Sequence, residues 1–358
     1  MEYGAIDLHK KESQIRIVRE SGEIVDRRIA TTRDRLTTMF WGRPPMRILL
    51  EASTESEWVA QHLETLGHEV IVADPNFAPM YGHRSRRIKT DRRDVAALAD
   101  ACQRGCYRAA HRRSAAQRTV QSRLNIRREL TDSRTRAISV ARAITRGAGF
   151  HLRSGSTESF LNRITALELP SSLTETLSPL RNMIEALNEE LARADDTFAQ
   201  LVAEDPVVTR LTTLPGIGPI TASAYVAALD DASRFGRAAQ VASYLGLVPG
   251  EHSSGEQQRR GHVLRSAHPQ VQSLLVQAAW RLGRSNAPRT AGLRAWAQGI
   301  ARRRGKKIAM VALARRIARI LFAMWRDGVP YDAARIRPTR TKVAAPIVDG
   351  ATRSVVNG

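Results

Sequence analysis

Residues 89–100 read KTDRRDVAALAD, and this stretch decides the fold because it combines a helix start with two closely spaced acids. A helix that opens at Thr90 or Asp91 places Asp91 and Asp94 on one face near its N-terminus. Their like charges repel, and the repulsion is offset either by the neighbouring cationic side chains or by a divalent cation bound between the carboxylates. The macrodipole also favours acids at a helix start, so a solvated, salt-bridged helix end is the alternative interpretation. Acids elsewhere in the chain decide between the two.

Composition predicts a polyanionic partner. The 358 residues carry a formal net charge of +21, and only six of the 56 basic residues are lysines. Arginine's planar fork suits phosphate and base-edge contacts, so we expect nucleic-acid binding. A GC-rich genome would explain the choice of arginine over lysine, but not the net charge. The length allows two or three domains, and 42% hydrophobic with 5% aromatic residues fits a soluble, helix-rich protein.

The two cysteines give no sign of a zinc site. Cys102 and Cys106 lie four residues apart on one predicted helix, and no second pair completes a set of four ligands. Reduced thiols fit a cytosolic protein. The N-terminus does not resemble a signal peptide, and no apolar run approaches the length of a membrane span. We therefore expect a cytoplasmic protein without a membrane partner.

The N-terminal part alternates strands and helices. YGAIDLHK, SQIRIVRE and EIVDRRIA predict a three-strand meander, with Asp7 near the end of the first strand. A helix around 33–41 follows, then the apolar strand MRILLEAS, which ends at Glu51. SEWVAQHLETLG is an amphipathic helix stopped by Gly67, and HEVIVAD is a further strand before the helix of Asp91. The order is β-β-β-α-β-α-β-α.

Acids therefore stand at the end of the first strand, at the end of the fourth strand and on the last helix. A ribonuclease-H-like sheet brings such remote residues to one edge. Four carboxylates can hold two Mg²⁺ ions roughly 4 Å apart, one to activate the nucleophile and one to stabilise the leaving oxygen of a phosphodiester. We predict Mg²⁺ binding, with Mn²⁺ as a substitute, by four acids: Asp7, Glu51, Asp91 and Asp94. Three other acids are placed less well to reach that edge: Glu55, Glu57 and Asp100.

The middle of the chain is predicted to be helical. Residues 115–146 carry an apolar stripe among many arginines, and a second helix follows from Leu173. Pro179 is expected to kink this helix or to mark a fresh start with Ser178 as N-cap. Its apolar residues alternate spacings of four and three like a heptad seam: Leu173, Leu177, Leu180, Ile184, Leu187, Leu191, Ala194, Phe198 and Leu201. The seam packs either on the 115–146 helix or on another subunit.

Three features of the last third bear on DNA. LPGIGPITA, residues 214–222, predicts a turn whose Gly216 and Gly218 expose backbone N–H groups to a DNA phosphate, a plain interhelical turn being the alternative. Ser253 and Ser254 lie in a polar stretch, 250–270, interpreted as a loop. The basic run before the final amphipathic helix is a phosphate contact or a solvated face: Arg302, Arg303, Arg304, Lys306 and Lys307. Beyond Tyr331 the chain lacks apolar periodicity, so we expect a flexible tail.

Six motifs in register resemble one family. GAIDLHK, LLEAS, KTDRRDVAAL, LPGIGPITA, SYLGLVP followed by SSG, and RGKKIAMVALAR are similar to the insertion-sequence transposases of the IS one-ten and IS eleven-eleven type, the DEDD recombinases related to the Piv invertase. The resemblance covers roughly residues 3–328. One departure is RSAHPQ after the serines, where the family usually has a Lys/Arg-Gly-Asn/Asp-like turn.

The resemblance implies a fold, a mechanism and partners. It implies an α/β plus α fold in four segments: a RuvC-like, ribonuclease-H-like catalytic domain over 1–110, a helical coiled coil over 111–205, a mostly helical transposase domain over 206–330 and a tail over 331–358. The four acids would bind magnesium, and Ser254, with Ser253 as its rival, would attack DNA and form a phosphoserine link. The partners would be donor and target DNA, a non-coding bridge RNA and further subunits in a dimer or tetramer.

Two other functions fit the same residues. In a RuvC-type Holliday-junction endonuclease, activated water replaces the serine, and strands are cut without being rejoined. In a non-catalytic nucleic-acid-binding protein, the acids only neutralise arginines. Variants of Ser254 and of the acids distinguish the three, whereas the salt dependence of binding does not.

Overall fold

A computed structural model describes residues 1–82, 91–254, 257–263 and 268–335, with only the backbone of residues 249–254 and 257–263. The chain divides into two compact units, Met1–Arg113 and Ser114–Gly358, called here the N-terminal and C-terminal units. The first is a mixed α/β sheet with its helices, and the second is mostly helical. The four predicted segments and the coiled coil remain predictions.

The N-terminal unit is built on a five-stranded sheet in the order β3-β2-β1-β4-β5. The first three strands form the predicted antiparallel meander, and β4 and β5 run parallel to β1. The order is consistent with the predicted ribonuclease-H-like sheet. The strands are β1 (Tyr3–Asp7), β2 (Glu12–Val18), β3 (Ile24–Ala30), β4 (Arg47–Glu51) and β5 (Glu69–Ala73).

Three helices cover the two faces of this sheet. On one face, α1 (Arg33–Phe40) and α2 (Ser56–Thr65) bury an apolar cluster with strand residues such as Ile6 and Ile15. On the other face lies α3 (Asp91–Arg104). The prediction that Cys106 continues the helix of Cys102 is wrong. Gly105 adopts a φ of +63°, which ends α3 at Arg104.

The C-terminal unit begins with a hairpin of long helices. α4 (Ala115–Gly147) packs along α6 (Ser171–Val202), with the short α5 (Phe160–Thr165) between them in sequence. Every seventh residue of the predicted seam is buried: Leu177, Ile184, Leu191 and Phe198. The seam thus packs on the helix of the same chain. A fresh helix start at Pro179 is wrong, because α6 runs through it; the tertiary contacts of α6 outweigh the hydrogen bond lost there.

The remainder of this unit is a helical body whose centre is α8. Every residue of α8 from Thr221 to Leu229 is buried, and the Tyr225 hydroxyl donates a 2.8 Å hydrogen bond to the Ala318 carbonyl. The elements of this body are α7 (Pro206–Thr212), α8 (Pro219–Leu229), α9 (Ala238–Tyr244), β6 (Pro249–Ser254), β7 (Gln257–Val263), α10 (Pro269–Arg284), α11 (Ala291–Arg304) and α12 (Lys306–Arg326).

Two details of this body differ from the prediction. The polar stretch around the serines is not a simple loop, since β6 and β7 pair antiparallel with Ser253 opposite Gln258. The basic run is divided between two helices, because Gly305 at φ +85° ends α11 and precedes α12. The predicted flexible tail lies outside the described residues from position 336. Within the described ranges, no helix combines the length and the hydropathy needed to cross a bilayer.

Candidate metal centre

Two of the predicted acids stand at the same edge of the sheet. β1 and β4 are parallel neighbours, with Ile6 opposite Leu50. Asp7 and Glu51 are the next residues of the two strands, and each is the last residue of its strand. Because parallel strands end at one edge, both carboxylates are delivered to it. The predicted positions of these two acids at strand ends are therefore confirmed.

The other two acids lie on the first turn of α3. This helix packs on β1, β2 and β4, and its Leu98 joins Ala5 and Leu49 in one apolar cluster. Packing on the sheet fixes the direction of the helix, so its N-terminal turn carries Asp91 and Asp94 as predicted. Asp94 is buried at 7% exposure, whereas the Asp91 side chain is 59% exposed. One acid thus faces inward and the other faces solvent.

Asp7, His9 and Asp91 form a compact group of metal-binding side chains. One ligand atom from each lies within 4.8 Å of the others. His9 Nε2 is 3.5 Å from Asp7 Oδ2 and 3.7 Å from Asp91 Oδ1. Such separations suit three donors around one cation after small side-chain adjustments.

The electrostatics of Asp7 connect this group to the remaining two acids. Burial raises the pKa of Asp7, His9 lowers it, and the charges of Glu51, Asp94 and Asp91 raise it. Repulsion among carboxylates destabilises the ionised form of each, and a bound cation would relieve it. All four predicted acids therefore act on one small region, although Glu51 and Asp94 are not members of the three-residue group.

Glu51 is held by a tyrosine that the sequence did not predict. The Tyr81 hydroxyl donates a hydrogen bond to Glu51 Oε1 from a 3₁₀ turn, Ala78–Tyr81. The turn places Met80 in the apolar cluster below α3. A hydroxyl donor at a carboxylate fixes which oxygen is available and in which direction it points.

The acids predicted to be less suitable have other partners. Arg112 bridges Glu57, at 3.0 Å, and Glu64, and these two carboxylates raise its pKa. Asp100 pairs with Arg104 one turn further along α3. Glu55 accepts a 2.5 Å hydrogen bond from Trp58 Nε1. Among the described residues, none of the three acids predicted to be less suitable belongs to the group of metal-binding side chains at the sheet edge.

An arginine next to Asp91 connects α3 to the meander. Arg92 Nε lies 3.3 Å from Asp26 Oδ2, and Arg16 binds the same carboxylate. The hydrogen bond from Arg16 lowers the pKa of Asp26, with a smaller contribution from Arg92. Asp26 remains an anion, so it attracts the first turn of α3 towards β2 and β3.

The serines are placed at the end of a strand. Ser253 and Ser254 are the last two residues of β6, and Ser254 is opposite Gln257 in β7. Gly255 of the Ser-Gly motif lies outside the described residues, as do Ser266 and Ala267. His268, which follows them, is buried at 7% exposure and precedes α10.

The glycine-rich turn joins α7 to α8. Gly216 adopts a φ of +89°, a conformation that glycine allows without strain, and Gly218 is the N-cap of α8. The turn predicted by LPGIGPITA is confirmed, while contact with a phosphate stays a prediction. The basic run also lies on the surface, since all five of its predicted contacts are exposed: Arg302, Arg303, Arg304, Lys306 and Lys307.

Two family models match the chain. One, described as "Transposase", matches residues 5–147, which include the acids. The other, described as "Transposase IS116/IS110/IS902 family", matches residues 208–293, which include the serines. A "Probable family 20 transposase" from Pseudomonas aeruginosa is 33% identical over 325 residues, or 89% of this chain and 95% of that protein. The chain belongs to the IS110 family of insertion-sequence transposases.

Two further IS110-type relatives are similar over much of the chain. The transposase of insertion element IS1328 from Yersinia enterocolitica is 25% identical over 330 residues, covering 91% of this chain and 97% of that protein. The transposase of element IS1111A from Coxiella burnetii is 28% identical over 243 residues, 66% of each. The family resemblance predicted from six motifs is confirmed. Membership makes this chain a DNA-cleaving and rejoining enzyme and implies dependence on a divalent cation.

The residues of this IS110-family chain fit such a cation. The group of Asp7, His9 and Asp91 offers three donors within coordination range, and the excess of negative charge around Asp7 favours a dication. The sequence prediction missed His9. Its signal was the motif DLHK, in which an imidazole stands two residues beyond a strand-end acid, close enough to return to the same edge.

Proposed function

We propose that this transposase excises and inserts its own element by Mg²⁺-dependent cleavage and rejoining of DNA through a serine-linked intermediate, guided by a non-coding bridge RNA. The single observation that carries the proposal is the convergence of Asp7, His9 and Asp91, with Glu51 and Asp94 acting on the same carboxylate. Carboxylates that lie close together repel one another, and a bound metal cofactor removes that repulsion. Such a cluster therefore suits metal-dependent phosphoryl transfer.

The four acids have the role of holding and orienting the cofactor. Asp7 and Glu51 stand on rigid strands, and α3 supplies Asp91 and Asp94. Two Mg²⁺ ions, when bound, supply positive charge that polarises the phosphodiester and stabilises its leaving oxygen. Tyr81 keeps Glu51 in one orientation.

In the covalent step, the serine is the nucleophile. The Ser254 hydroxyl oxygen forms a bond to phosphorus while the bond from phosphorus to one deoxyribose oxygen breaks. The hydroxyl proton is taken by a carboxylate and returned to the leaving oxygen, so charge and atoms balance. Attack by the new DNA end's hydroxyl on the phosphoserine reverses the step and rejoins a strand. Ser253 is the second candidate for the nucleophile.

The serine and the acids belong to different units, and the proposal requires them to meet on DNA within one subunit or across two. A dimer or tetramer would allow sites composed of two chains. The net charge of +21 supports a polyanionic partner such as DNA, and the bridge RNA is proposed from the family resemblance. The turn at Gly216 and Gly218 and the basic run Arg302–Lys307 are the proposed phosphate contacts.

The test is the search for a covalent protein–DNA adduct. The purified chain with its co-purified RNA is incubated with labelled DNA and Mg²⁺, and the products are separated on a denaturing gel. We expect the wild type to form the adduct. Of the two variants Ser253→Ala and Ser254→Ala, the one that lacks the nucleophile should form no adduct, and the other should still form it. Asp91→Asn should abolish the adduct while DNA binding persists, and Asp100→Asn, on the same helix, should retain it.

Other outcomes favour the rival functions. Full cleavage by both serine variants without an adduct would indicate a junction endonuclease that uses activated water. Wild-type strand exchange in Asp7→Asn or Asp91→Asn would indicate that the acids are not catalytic. Adduct formation that is unchanged after removal of RNA by ribonuclease would reject RNA guidance and leave the chemistry in place.

A further inference from the structure

We propose that His9 is a protein ligand of one cation position, together with Asp7 and Asp91, and that this position selects Mn²⁺ over Mg²⁺. The inference rests on the proposed metal-dependent function and goes beyond it. It adds a residue that the four-acid pattern does not contain, and it changes which cation the chain prefers.

The backbone around His9 is fixed in place. His9 follows β1, and its carbonyl oxygen accepts a 2.8 Å hydrogen bond from the Thr31 hydroxyl. The Thr31 backbone N–H donates to the Lys11 carbonyl at 2.9 Å, and its hydroxyl lies 2.7 Å from that of Ser13. The connection between β1 and β2 is therefore tied to the end of β3, which holds the backbone of His9 near the sheet edge.

The distances fit shared coordination. Donors at about 2.1 Å from one cation, at right angles, are about 3 Å apart. His9 Nε2 lies 3.5 Å from one carboxylate oxygen and 3.7 Å from another, so both separations exceed that geometry by roughly 0.5–0.7 Å. Rotation of the two exposed side chains, His9 at 54% and Asp91 at 59% exposure, can close the difference without moving the sheet.

The charges around the group favour a bound cation. Three further carboxylates, those of Glu51, Asp94 and Asp91, act on Asp7. A dication bound by Asp7, Asp91 and the His9 imidazole would bring two positive charges to balance these acids, with His9 as the third donor.

An imidazole ligand determines the preference between cations. Mg²⁺ is a hard ion that takes oxygen ligands and retains its waters, whereas nitrogen donors favour transition-metal dications. A position with two carboxylates and one imidazole therefore binds Mn²⁺ in preference to Mg²⁺. The second cation position, served by Glu51 and Asp94, has only oxygen donors from the proposed ligands and would accept Mg²⁺.

The test measures Mn²⁺ binding to the full chain, without DNA, by electron paramagnetic resonance. We expect nitrogen modulation of the bound Mn²⁺ signal in the wild type, and its loss in His9→Ala and His9→Gln. Both variants should bind Mn²⁺ at least about tenfold more weakly, while Mg²⁺ affinity measured by competition changes less than about threefold. His62→Gln is the matched control, because His62 pairs with Thr37 on α1 in the same unit.

Two results would overturn the inference, and they differ in what else they reject. In the first, the wild type binds Mn²⁺ without nitrogen modulation, Asp91→Asn loses the bound Mn²⁺, and His9→Ala binds it with unchanged affinity. This result would reject His9 as a ligand and keep the metal centre. An absence of Mn²⁺ binding that depends on Asp91 would reject both the inference and the proposed metal centre. Circular dichroism of each variant verifies that it is folded.

Discussion

Arg16 on β2 and Asp26 on β3 stand directly opposite each other and form a two-pronged ion pair, with both nitrogen–oxygen distances at 2.7 Å. Both side chains are mostly buried, at 17% and 19% exposure. Asp26 also accepts from Arg92, the residue after Asp91. The pair thus joins the meander to the helix that carries the proposed ligands.

This pair makes a testable contribution to stability. Asp26→Asn should lower the free energy of unfolding by about 2 kcal/mol at pH 7, because a charged hydrogen bond is lost. Arg16 lowers the pKa of Asp26 below 3.8, so the stabilisation is complete above an ordinary aspartate pKa and disappears as the pH falls through the lower folded-state pKa. Urea unfolding followed by circular dichroism at several pH values measures the difference in free energy of unfolding between the variant and the wild type.

The control for that experiment is Glu23→Gln, which breaks an exposed pair with Arg19 at the end of the same hairpin. Glu23→Gln should lower the free energy of unfolding by less than about 0.5 kcal/mol, since exposed ion pairs are solvated. If the difference in unfolding free energy between wild type and Asp26→Asn does not shrink as the pH is lowered, the charge of Asp26 is not the cause.

The Tyr81 hydroxyl should support catalysis without being essential to the fold. Tyr81→Phe removes the donor to Glu51 and should reduce DNA cleavage about tenfold, as outer contacts of metal ligands typically do. Tyr3→Phe, in the same apolar cluster, should cleave normally. Initial rates of cleavage at saturating DNA provide the comparison, and equal rates for the two variants would contradict the orienting role.

The buried side of α6 should carry the stability of the helical hairpin. Ile184→Ala should lower the free energy of local unfolding of the hairpin by about 2–5 kcal/mol, because truncation of a fully buried side chain leaves a cavity. Its neighbour Met183, 47% exposed, should tolerate alanine within about 0.5 kcal/mol. Hydrogen exchange of α4 and α6 peptides, read by mass spectrometry, reports both. Similar effects at the two positions would show that α6 packs differently from this arrangement.

The two thiols should differ in reactivity. Burial raises the pKa of Cys102 to about 12, so almost no thiolate exists at pH 8, whereas Cys106 is partly exposed beyond the end of α3. Iodoacetamide should label Cys106 in the native chain and both cysteines in urea. Peptide mass spectrometry identifies the modified residue, and Cys106→Ser should remove native labelling. Rapid modification of Cys102 in the folded chain would contradict its burial.

Local sequence patterns determined most of the N-terminal unit. Alternating apolar residues predicted β2, the run RILL predicted β4, and the turn at Ser21–Gly22 joined β2 to β3. These signals are local because a strand that buries one face shows apolar residues at every second position, and this pattern can be read from the sequence. The order of elements also fits a ribonuclease-H-like sheet, and that comparison predicted Asp7 and Glu51 at one edge.

Patterns were less informative where both faces of an element are polar. β6 and β7 contain serine, glutamine and arginine without an apolar face, so the stretch was interpreted as a loop. Pro179 suggested a helix end, yet the apolar side chains on either side of it pack on α4 and keep α6 continuous. At Pro179 the packing of α6 on α4 thus outweighs the local preference, while β6 and β7 are defined by their pairing with each other.

The sequence by itself predicted acids at the ends of β1 and β4 and on the first turn of α3, and a polyanionic partner, because each element's pattern and the net charge can be read from the residues alone. Only the tertiary structure decided that His9 returns to Asp7 and Asp91, that Tyr81 reaches Glu51 and that Arg92 meets Asp26. These contacts depend on the path of the chain between elements. Such paths are set by long-range packing and hydrogen bonds, which leave no periodic signal in the residues themselves.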